Sequence, residues 1–379
     1  MRIYVDGMFY RLSGIGRCYE NVLSALLATK DVSKVFTVVP RGRTEEFTRQ
    51  FRSDKLEVRF IDFAHLSYGD FFRKAPLIRA FSPDPDILFF PNFNVPFFLR
   101  GKIVSTVNDL TPISRYSDYS RLQQAGFRFL VRRAIRVSVR TVCISEFGRQ
   151  LVMDAFGVPE DNLPIIHPWV AEAFLGGEGA ARRRTAPVDG DYLLFVGNRY
   201  GYKNLGGLLA AFRLLLPEFP GLKAVVVGVQ KGMGDDAERL LADPSLRGKV
   251  LEFPRASDDE LKALYVHTKV FVFPSFMEGF GLPPLEALAF GVPVVCSDIP
   301  VIHEVCGDAV RYADPSDPAS IAGQIRCALI ETERNGVYRE KGVERVRRYT
   351  REESIRRYMD LFRDCMDTGR KTSPRGDGR

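Results

Sequence analysis

Hydrophobic positions in the first half of the chain form short runs, and helical or polar stretches separate these runs. The strand-like runs are residues 2–6, 35–39, 56–61, 87–90, 103–107 and 141–144. Short apolar runs that alternate with helices are typical of parallel strands buried on both faces. The pattern predicts a parallel sheet with helices on both sides.

The same alternation begins again after a looser segment. Residues 168–190 contain Gly176-Gly177, three arginines at 182–184 and Pro187, and are interpreted as a linker. Strands are then expected at 192–196, 224–228, 250–253, 270–274 and 292–296, and helices at 206–215, 258–268, 285–290 and 318–335. The prediction is two Rossmann-like, doubly wound α/β domains, residues 1–167 and 191–350, that face each other across a cleft. A helix from residue 351 is expected to pack back on the first domain, with a frayed tail at 368–379.

Composition narrows the class of protein. The chain has 379 residues, of which 45% are hydrophobic and 27% charged, as in ordinary soluble proteins. Its six cysteines form no C-x-x-C pair, so neither a zinc site nor a disulfide framework is expected. Because no export signal or membrane-spanning run stands out, the expected location is the cytoplasm.

Charge is distributed unevenly. Residues 1–165 contain 24 Lys and Arg against 17 Asp and Glu, which accounts for the whole net charge of +7. The densest part, 121–140, reads as an amphipathic helix with one cationic arc: Arg121, Arg128, Arg132, Arg133, Arg136 and Arg140. This arc is either a solvated face or a landing surface for anionic lipid headgroups or a diphosphate-bearing acceptor. No nucleic-acid-binding signature accompanies it.

Residues 274–287 carry the most specific pattern of the chain. Glu278 and Glu286 lie eight positions apart, across a junction where a glycine-bearing loop meets a helix that two prolines open. Backbone N–H groups at a helix start are a natural seat for an anion such as phosphate. Here the backbone N–H groups that could bind such an anion are those of Gly279, Phe280, Gly281 and Leu282. In the alternative interpretation Glu286 only favours the helix start and Glu278 is solvated.

This glutamate pair, with the flanking Pro274-Ser275 and the continuation 287–295, resembles the E-x7-E motif of family 4 of the retaining glycosyltransferases. Residues 196–204 are similar to that family's phosphate-binding loop. The resemblance extends over residues 1–350 and implies the two-domain GT-B fold.

The resemblance also implies roles for single residues. Glu278 would contact hydroxyls of a donor sugar, Glu286 the ribose diol, and Lys203 the donor diphosphate. Tyr202 stands where the family often has arginine, and Arg199 is the candidate for the missing cation.

Two further segments are similar to the family's first half. Gly14 and Gly16 occupy the first glycine loop, where a backbone without Cβ can approach a diphosphate. Asn108 and Asp109 match a His-Asp pair near the transferred sugar, with asparagine in place of the histidine. Asparagine cannot titrate near neutrality, so acid-base catalysis is not expected at position 108. The alternative is that the pair only turns the chain after a strand.

The function that the resemblance implies is a metal-independent, cofactor-free, retaining transfer of a sugar, mannose from GDP-mannose being the first expectation. The expected acceptor is a lipid-linked or polysaccharide glycan at the inner face of the cytoplasmic membrane, in polysaccharide or lipopolysaccharide synthesis. Two alternatives remain open at this point: a nucleotide-sugar epimerase or hydrolase of the same fold, and a non-catalytic nucleotide-sugar-binding subunit.

Overall fold

The computed structural model describes residues 1–175, 185–229 and 235–367. Part of the expected linker, 176–184, and the expected frayed tail, 368–379, lie outside the described residues.

Two six-stranded sheets, parallel throughout, form the framework. The first has the strand order β3-β2-β1-β4-β5-β6. Its strands are β1 (Arg2–Asp6), β2 (Lys34–Pro40), β3 (Leu56–Ile61), β4 (Ile87–Phe90), β5 (Ile103–Val107) and β6 (Arg140–Cys143). The second has the order β12-β11-β10-β7-β8-β9. Its strands are β7 (Tyr192–Val196), β8 (Lys223–Val227), β9 (Val250–Phe253), β10 (Val270–Phe273), β11 (Val294–Ser297) and β12 (Arg311–Ala313).

Helices cover both faces of each sheet. In the first half they are α1 (Ser13–Ala28), α2 (Thr44–Gln50), α3 (Lys74–Phe81), α4 (Arg121–Val137) and α5 (Glu146–Phe156). In the second they are α6 (Leu205–Leu215), α7 (Asp235–Leu241), α8 (Asp258–His267), α9 (Leu282–Ala289), α10 (Pro300–Cys306), α11 (Pro318–Ile330) and α12 (Thr332–Val346). The last described helix is α13 (Arg351–Asp367). The two doubly wound sheets confirm the predicted fold class.

The central strands are buried on both faces, as their uninterrupted apolar sequence requires. In β4, Ile87 and Phe89 point into one hydrophobic cluster, and Leu88 and Phe90 into another on the opposite face. Successive side chains of a strand point to opposite faces, so one four-residue strand serves two cores.

The last helix, α13, packs against the first sheet. The rings of Tyr358 and Phe362 lie 5.3 and 5.5 Å from the ring of Phe89, centroid to centroid. Both side chains are buried with residues of α1 and β1. The chain therefore returns to its first half after it has built the second sheet.

Helix α4 corrects part of the predicted cationic arc. Arg133 is buried: its guanidinium donates to the carbonyl oxygens of Val95 and Pro96, at 2.7 and 2.8 Å. Arg140 belongs to β6 and pairs with Asp364 of α13 at 3.3 Å. The helix ends at Val137, and Ser138 caps it. Arg121, Arg128, Arg132 and Arg136 remain exposed.

Further elements differ from the sequence prediction: α7 and α10 were not predicted, and α9 begins at Leu282 and not at residue 285. β12 has only three residues, too few for a periodic signal, and was not predicted. The expected helix 318–335 is two helices, because α11 ends at Ile330 and a new helix starts at Thr332. Across the described ranges, every helix is too short or too polar to cross a lipid bilayer.

Candidate active site

The carboxyl ends of the two sheets face each other, and the loops after their strands meet there. Gly279, after β10, touches the first half: a Cβ at this position would lie 2.1 Å from the Asn108 carbonyl oxygen. The hydroxyl of Ser145, after β6, donates to the Gly279 carbonyl at 2.8 Å. The rings of Tyr116 and Phe276 stack across the junction with centroids 5.1 Å apart. Ligands of doubly wound sheets bind at this edge.

Helix α9 begins at the bottom of this cleft. Gly281 is its N-cap with φ of 114°, a conformation that strains any residue with a Cβ. Pro283 and Pro284 occupy the first turn, where a proline loses no helical hydrogen bond. The first N–H groups of a helix lack intrahelical acceptors, so this end of α9 presents donors and a positive dipole end.

The side chain of Phe280 does not line the cleft. It is buried, with its ring 5.2 Å from that of Tyr349 and 5.7 Å from that of His167. Residue 280 can contribute to a ligand site only through its backbone. Its ring anchors the loop to the core.

Glu278 and Lys203 are brought together. The ammonium of Lys203 lies 2.6 Å from the Glu278 carboxylate, and both side chains are largely buried. The amide of Phe276 donates to the carbonyl of Tyr202 at 2.8 Å and ties the lysine turn to the loop after β10. The pair can separate when an anion competes for the lysine and a hydroxyl competes for the glutamate.

Asn204 fixes the position of the lysine turn. Its φ of 58° is left-handed, and its side-chain oxygen caps α6 by accepting from Gly207 N at 3.1 Å. Its amide nitrogen donates to the carbonyls of Pro274 and Pro315, at 2.9 and 2.7 Å. Asn204 was not predicted as a site residue, although asparagine before an apolar helix is an N-cap signal.

Glu286 is buried and has two partners. The hydroxyl of Tyr265 donates to its carboxylate at 2.9 Å, and the Arg17 guanidinium, from the other half, donates to the second oxygen. The Glu286 carboxylate raises the pKa of Arg17, and burial followed by the same charge raises the pKa of Tyr265. Arg17 was missed by sequence reasoning, because 269 positions separate it from its partner.

Arg199 is not brought to Lys203. Its buried guanidinium pairs with Glu252 on β9, whereas Lys203 reaches toward the end of β10. Those two strands lie on opposite sides of β7. The structure therefore does not place Arg199 beside the lysine as a second cation.

Gly14 and Gly16 lie in the first turn of α1, which begins at Ser13, and not in the glycine loop that the sequence predicted. A Cβ on Gly16 would lie 2.2 Å from the Phe9 carbonyl oxygen, so glycine allows the loop after β1 to pack on the helix. Around Gly14 there is open space. Arg17 extends from the same turn toward Glu286.

Asn108 and Asp109 lie against the glycine loop of the second half. The Asn108 amide donates to the Pro91 carbonyl at 2.9 Å, and Asp109 accepts from the Thr111 amide at 2.9 Å. The aspartate bond is a local turn, as the alternative interpretation expected. Burial raises the pKa of Tyr202, and the charges of Glu278 and Asp109 raise it further. Asp109 itself lies beside the glycine loop, because a Cβ on Gly279 would lie 3.0 Å from the Asp109 Cβ.

The site thus contains two cation-carboxylate pairs beside a helix N-terminus. One pair lies within the second half and the other crosses the cleft. Among the described residues, no three His, Cys, Asp or Glu side chains are grouped as metal ligands.

Comparison with known proteins adds independent information. Residues 12–174 match the family model "Glycosyltransferase Family 4", and residues 180–345 match "Glycosyl transferases group 1". O-antigen chain mannosyltransferase B of Escherichia coli is 26% identical over 278 residues, 72% of this chain and 73% of that protein. O-antigen chain mannosyltransferase RfbU of Salmonella typhimurium is 27% identical over 228 residues, 60% of this chain and 61% of that protein.

Among solved structures, Anabaena HepE in complex with UDP and glucose superposes with a TM-score of 0.76 at 15% identity, over 96% of this chain and all of that one. At this identity the likeness concerns the fold. Together the two family models cover both halves of the chain. The chain belongs to family 4 of the glycosyltransferases and has their GT-B fold.

Proposed function

We propose that this glycosyltransferase moves mannose from GDP-mannose to a lipid-linked or polysaccharide glycan, with retention of configuration at the anomeric carbon. The observation that carries the proposal is the Lys203–Glu278 pair at the N-terminus of α9, where a cation, a carboxylate and helix amides converge. The choice of mannose and of a glycan acceptor is supported by two relatives named as O-antigen chain mannosyltransferases.

In the proposed complex the donor diphosphate lies against the amides of residues 279–282 and the Lys203 ammonium. Lys203 then leaves Glu278, and the freed carboxylate accepts hydrogen bonds from hydroxyls of the sugar. Glu286 accepts the ribose hydroxyls, with Tyr265 holding its other oxygen. Asn108 hydrogen-bonds the sugar without exchanging a proton.

Arg17 takes the place that the sequence analysis gave to Arg199. Its guanidinium contacts Glu286 from the opposite wall of the cleft, and it extends from the helix turn that contains Gly14 and Gly16. An arginine can bind phosphate oxygens in a bidentate manner, so Arg17 can pass from the carboxylate to the diphosphate when the donor enters.

The proposed reaction takes place on one face of the sugar. The bond from the anomeric carbon to the diphosphate oxygen breaks, the acceptor hydroxyl bonds to the same face, and its proton passes to the departing phosphate oxygen. Negative charge on the leaving group is met by Lys203, Arg17 and the α9 amides. Fixed donors aimed at developing charge are the largest catalytic contribution in many enzymes. No metal ion is assigned a role in this proposal.

Removal of either member of the Lys203–Glu278 pair tests the mechanism. We expect Lys203→Ala and Glu278→Gln each to lower kcat/KM for mannose transfer by about a hundredfold to a thousandfold. Circular dichroism should show that both variants keep the fold. Wild-type turnover in either variant would remove that residue from the site.

A matched pair of arginine variants separates the two candidate cations. Arg17→Gln should raise the KM for the donor and lower kcat. Arg199→Gln should lower the melting temperature, because it leaves Glu252 unpaired, but should retain most of kcat/KM below that temperature. If Arg199→Gln instead raised the donor KM and lowered kcat while Arg17→Gln retained activity, Arg199 and not Arg17 would bind the diphosphate.

Donor identity can be read from ligand-induced stabilisation. A ligand at a hundred times its Kd stabilises a protein by about 2.7 kcal/mol. We expect a larger shift of the melting temperature with GDP-mannose than with UDP-glucose. UDP-glucose is the second candidate, because HepE was crystallised with UDP and glucose. A larger shift with UDP-glucose would reverse the order.

Two alternatives predict different products. An epimerase or hydrolase would convert the nucleotide sugar without an acceptor, and a non-catalytic subunit would bind it without turnover. Chromatography of reactions with and without an acceptor glycan distinguishes all three. Nucleoside diphosphate should accumulate only when the acceptor is present.

A further inference from the structure

A row of stacked aromatic rings lies on the surface of the first half. The ring centroids of Tyr68 and Phe72 are 4.9 Å apart, and those of Phe72 and Phe97 are 4.7 Å apart with the planes 2° from parallel. Phe98 and Phe129 follow, with centroids 6.3 and 6.5 Å from that of Phe97. We call these five residues the aromatic ladder.

The ladder is exposed to an unusual degree. Phe98 exposes 73% of its surface, Tyr68 72%, Phe129 60% and Phe72 40%. Leu122, seven positions before Phe129 and on the same face of α4, exposes 84%. Single exposed apolar residues are ordinary, but a contiguous group indicates an interaction surface.

Phe97, at the centre of the ladder, is held from beneath. The buried Arg133 guanidinium lies 3.9 Å from the centre of the Phe97 ring while it donates to the Val95 and Pro96 carbonyls. The Phe97 amide donates to the Phe71 carbonyl at 2.6 Å. Buried contacts of the fold therefore fix the position of the Phe97 ring, against which Phe72, Phe98 and Phe129 pack.

Phe98 is strained as well as exposed. Its φ of 63° is left-handed, a conformation that costs a residue with a Cβ on the order of 1 kcal/mol. Glycine or asparagine would relieve this strain, and the contact with Phe97 offsets little of it, because three quarters of the Phe98 surface is open. Strain in a native structure persists where function favours the residue.

Positive charge borders the ladder. The segments that build it, residues 66–79, 95–100 and 121–137, contain one acidic residue, Asp70, which is buried. The same segments carry exposed arginines: Arg73, Arg79, Arg100, Arg121, Arg128, Arg132 and Arg136. Exposed aromatic rings bordered by arginines match the interface of an anionic bilayer, where rings enter the headgroup region and guanidinium groups remain among phosphates.

We infer that the aromatic ladder docks this protein on an anionic lipid bilayer, with Phe98 and Phe129 entering the headgroup region. The inference deepens the proposed function, on whose lipid-linked acceptor it rests. It adds exposed aromatic rings to the arginine face of α4, which the sequence left open as a solvated face or a landing surface. The arginines supply long-range attraction, and the rings supply the apolar contact that outlasts high salt.

Vesicle co-sedimentation tests the surface. The wild type should pellet with vesicles of equal parts phosphatidylcholine and phosphatidylglycerol, and much less with phosphatidylcholine alone. The double variant Phe98→Asn, Phe129→Asn should lose about tenfold or more in affinity. The matched control is Leu214→Asn, an exposed leucine of α6 in the second half, which should bind as the wild type does. Equal binding by the ladder variant and the control would overturn the inference.

The single variant Phe98→Asn distinguishes a role in membrane binding from a role in packing, because the two roles predict different melting temperatures. Because asparagine tolerates the left-handed conformation, its melting temperature should equal or exceed that of the wild type while its vesicle binding falls. A lower melting temperature with unchanged vesicle binding would make Phe98 a packing residue and refute its role.

The depth of Phe98 in the bilayer can be measured by the fluorescence of a tryptophan introduced at this position. The protein's single tryptophan, Trp169, is buried and should not be quenched by lipids. The indole introduced by Phe98→Trp should be quenched by brominated lipids, and that of Leu214→Trp should not. If Phe98→Trp is not quenched and the wild type instead forms dimers through the ladder in analytical ultracentrifugation, a second copy and not a membrane covers this face.

The activity assay separates the two proposals. The ladder variants should keep wild-type transfer to a short water-soluble acceptor and lose transfer to the same glycan on a lipid in vesicles. Vesicle binding without any sugar transfer would refute the proposed function and leave the ladder intact. Sugar transfer without vesicle binding would support the proposed function and refute the role of the ladder.

Discussion

At the scale of single residues, the end of β1 holds a charged cluster with no contact to solvent. The Lys74 ammonium lies 2.8 Å from the Asp6 carboxylate and also pairs with Asp70. The Asn94 amide donates to Asp6 at 3.0 Å and to Asp70 at 3.1 Å, and the Tyr4 hydroxyl donates to Asp6 at 2.8 Å. One ammonium thus meets two buried carboxylates, so one of them is poorly compensated.

This imbalance predicts a pH-dependent stability. Burial raises the pKa of Asp6 above its ordinary 3.8, Lys74 lowers it and Asp70 raises it. The folded protein retains a proton that the unfolded chain has lost, so this contribution is present below pH 3.8 and disappears as pH rises through the folded pKa. Asp6→Asn removes the titration but keeps the volume. We expect the unfolding free energy of Asp6→Asn minus that of the wild type to increase between about pH 4 and pH 7.

Urea denaturation at several pH values measures this difference. The variant should be less stable than the wild type at low pH, because it loses a hydrogen bond worth about 1 kcal/mol. Parallel pH profiles would show that Asp6 does not titrate in the folded state over this range.

For several residues the sequence predicted a chemical role correctly but did not predict which residues they contact. The spacing of Glu278 and Glu286 marked both acids, and Lys203 came from the family resemblance. Arg17 and Arg133 could not be assigned, because the first contacts a residue far along the chain and the second turns inward to carbonyls of a separate loop. The periodicity of a helix predicts on which side of the helix a residue lies, but it does not predict which other residues contact that side.

At the scale of elements, the strand-to-helix turn after β7 depends on Asn204. This residue combines a left-handed backbone, a helix cap and two hydrogen bonds to carbonyls of neighbouring loops. It therefore joins β7, β10 and β12 at the edge that carries Lys203.

Three substitutions at this position separate its contributions. Asn204→Ala should cost about 3 kcal/mol of unfolding free energy, from the cap, the strained backbone and the lost hydrogen bonds. Asn204→Gly should recover about 1 kcal/mol of backbone strain, and Asn204→Asp should keep the cap but lose both donors. Denaturant titration measures all three. Equal losses would mean that the backbone conformation is unimportant.

Strands were predicted correctly where burial on both faces of the sheet requires an uninterrupted run of apolar residues. Of the twelve strands in the described ranges, eleven were located to within two residues of their observed ends by their apolar runs, β4, β5 and β10 among them. The first turn of α1 was predicted as a glycine loop, because glycines usually signal a turn, whereas here Gly16 admits the Phe9 carbonyl against the helix. β12 was missed because three residues carry no periodicity.

At the scale of the whole molecule, direct contacts close the cleft. Gly279 packs on Asn108, Ser145 bonds to Gly279, and the Glu304 carboxylate accepts from the amides of Glu146 and Phe147 at 2.7 and 2.9 Å. The last contact caps α5 of one half with a side chain of the other. Such contacts hold the two halves at one separation.

Adding one methyl group at the tightest contact should change that separation. Gly279→Ala places a Cβ 2.1 Å from a carbonyl oxygen, so the halves must move apart. We expect a larger radius of gyration by small-angle X-ray scattering and a reduction in kcat/KM of about tenfold or more. Gly126→Ala, in the open on α4, is the control and should raise stability by up to about 1 kcal/mol. An unchanged radius with full activity would show that this contact does not set the closed state.

The return of α13 to the first half means that the chain crosses between the halves twice, and the two crossings touch. The Ser354 hydroxyl donates to the His167 carbonyl at 2.8 Å, and Arg351 pairs with Glu172. Two adjoining connections constrain the relative position of the halves more than a single linker would. No single cut of the backbone therefore yields two complete halves, and a fragment that ends before residue 351 exposes the face of β4 that α13 covers.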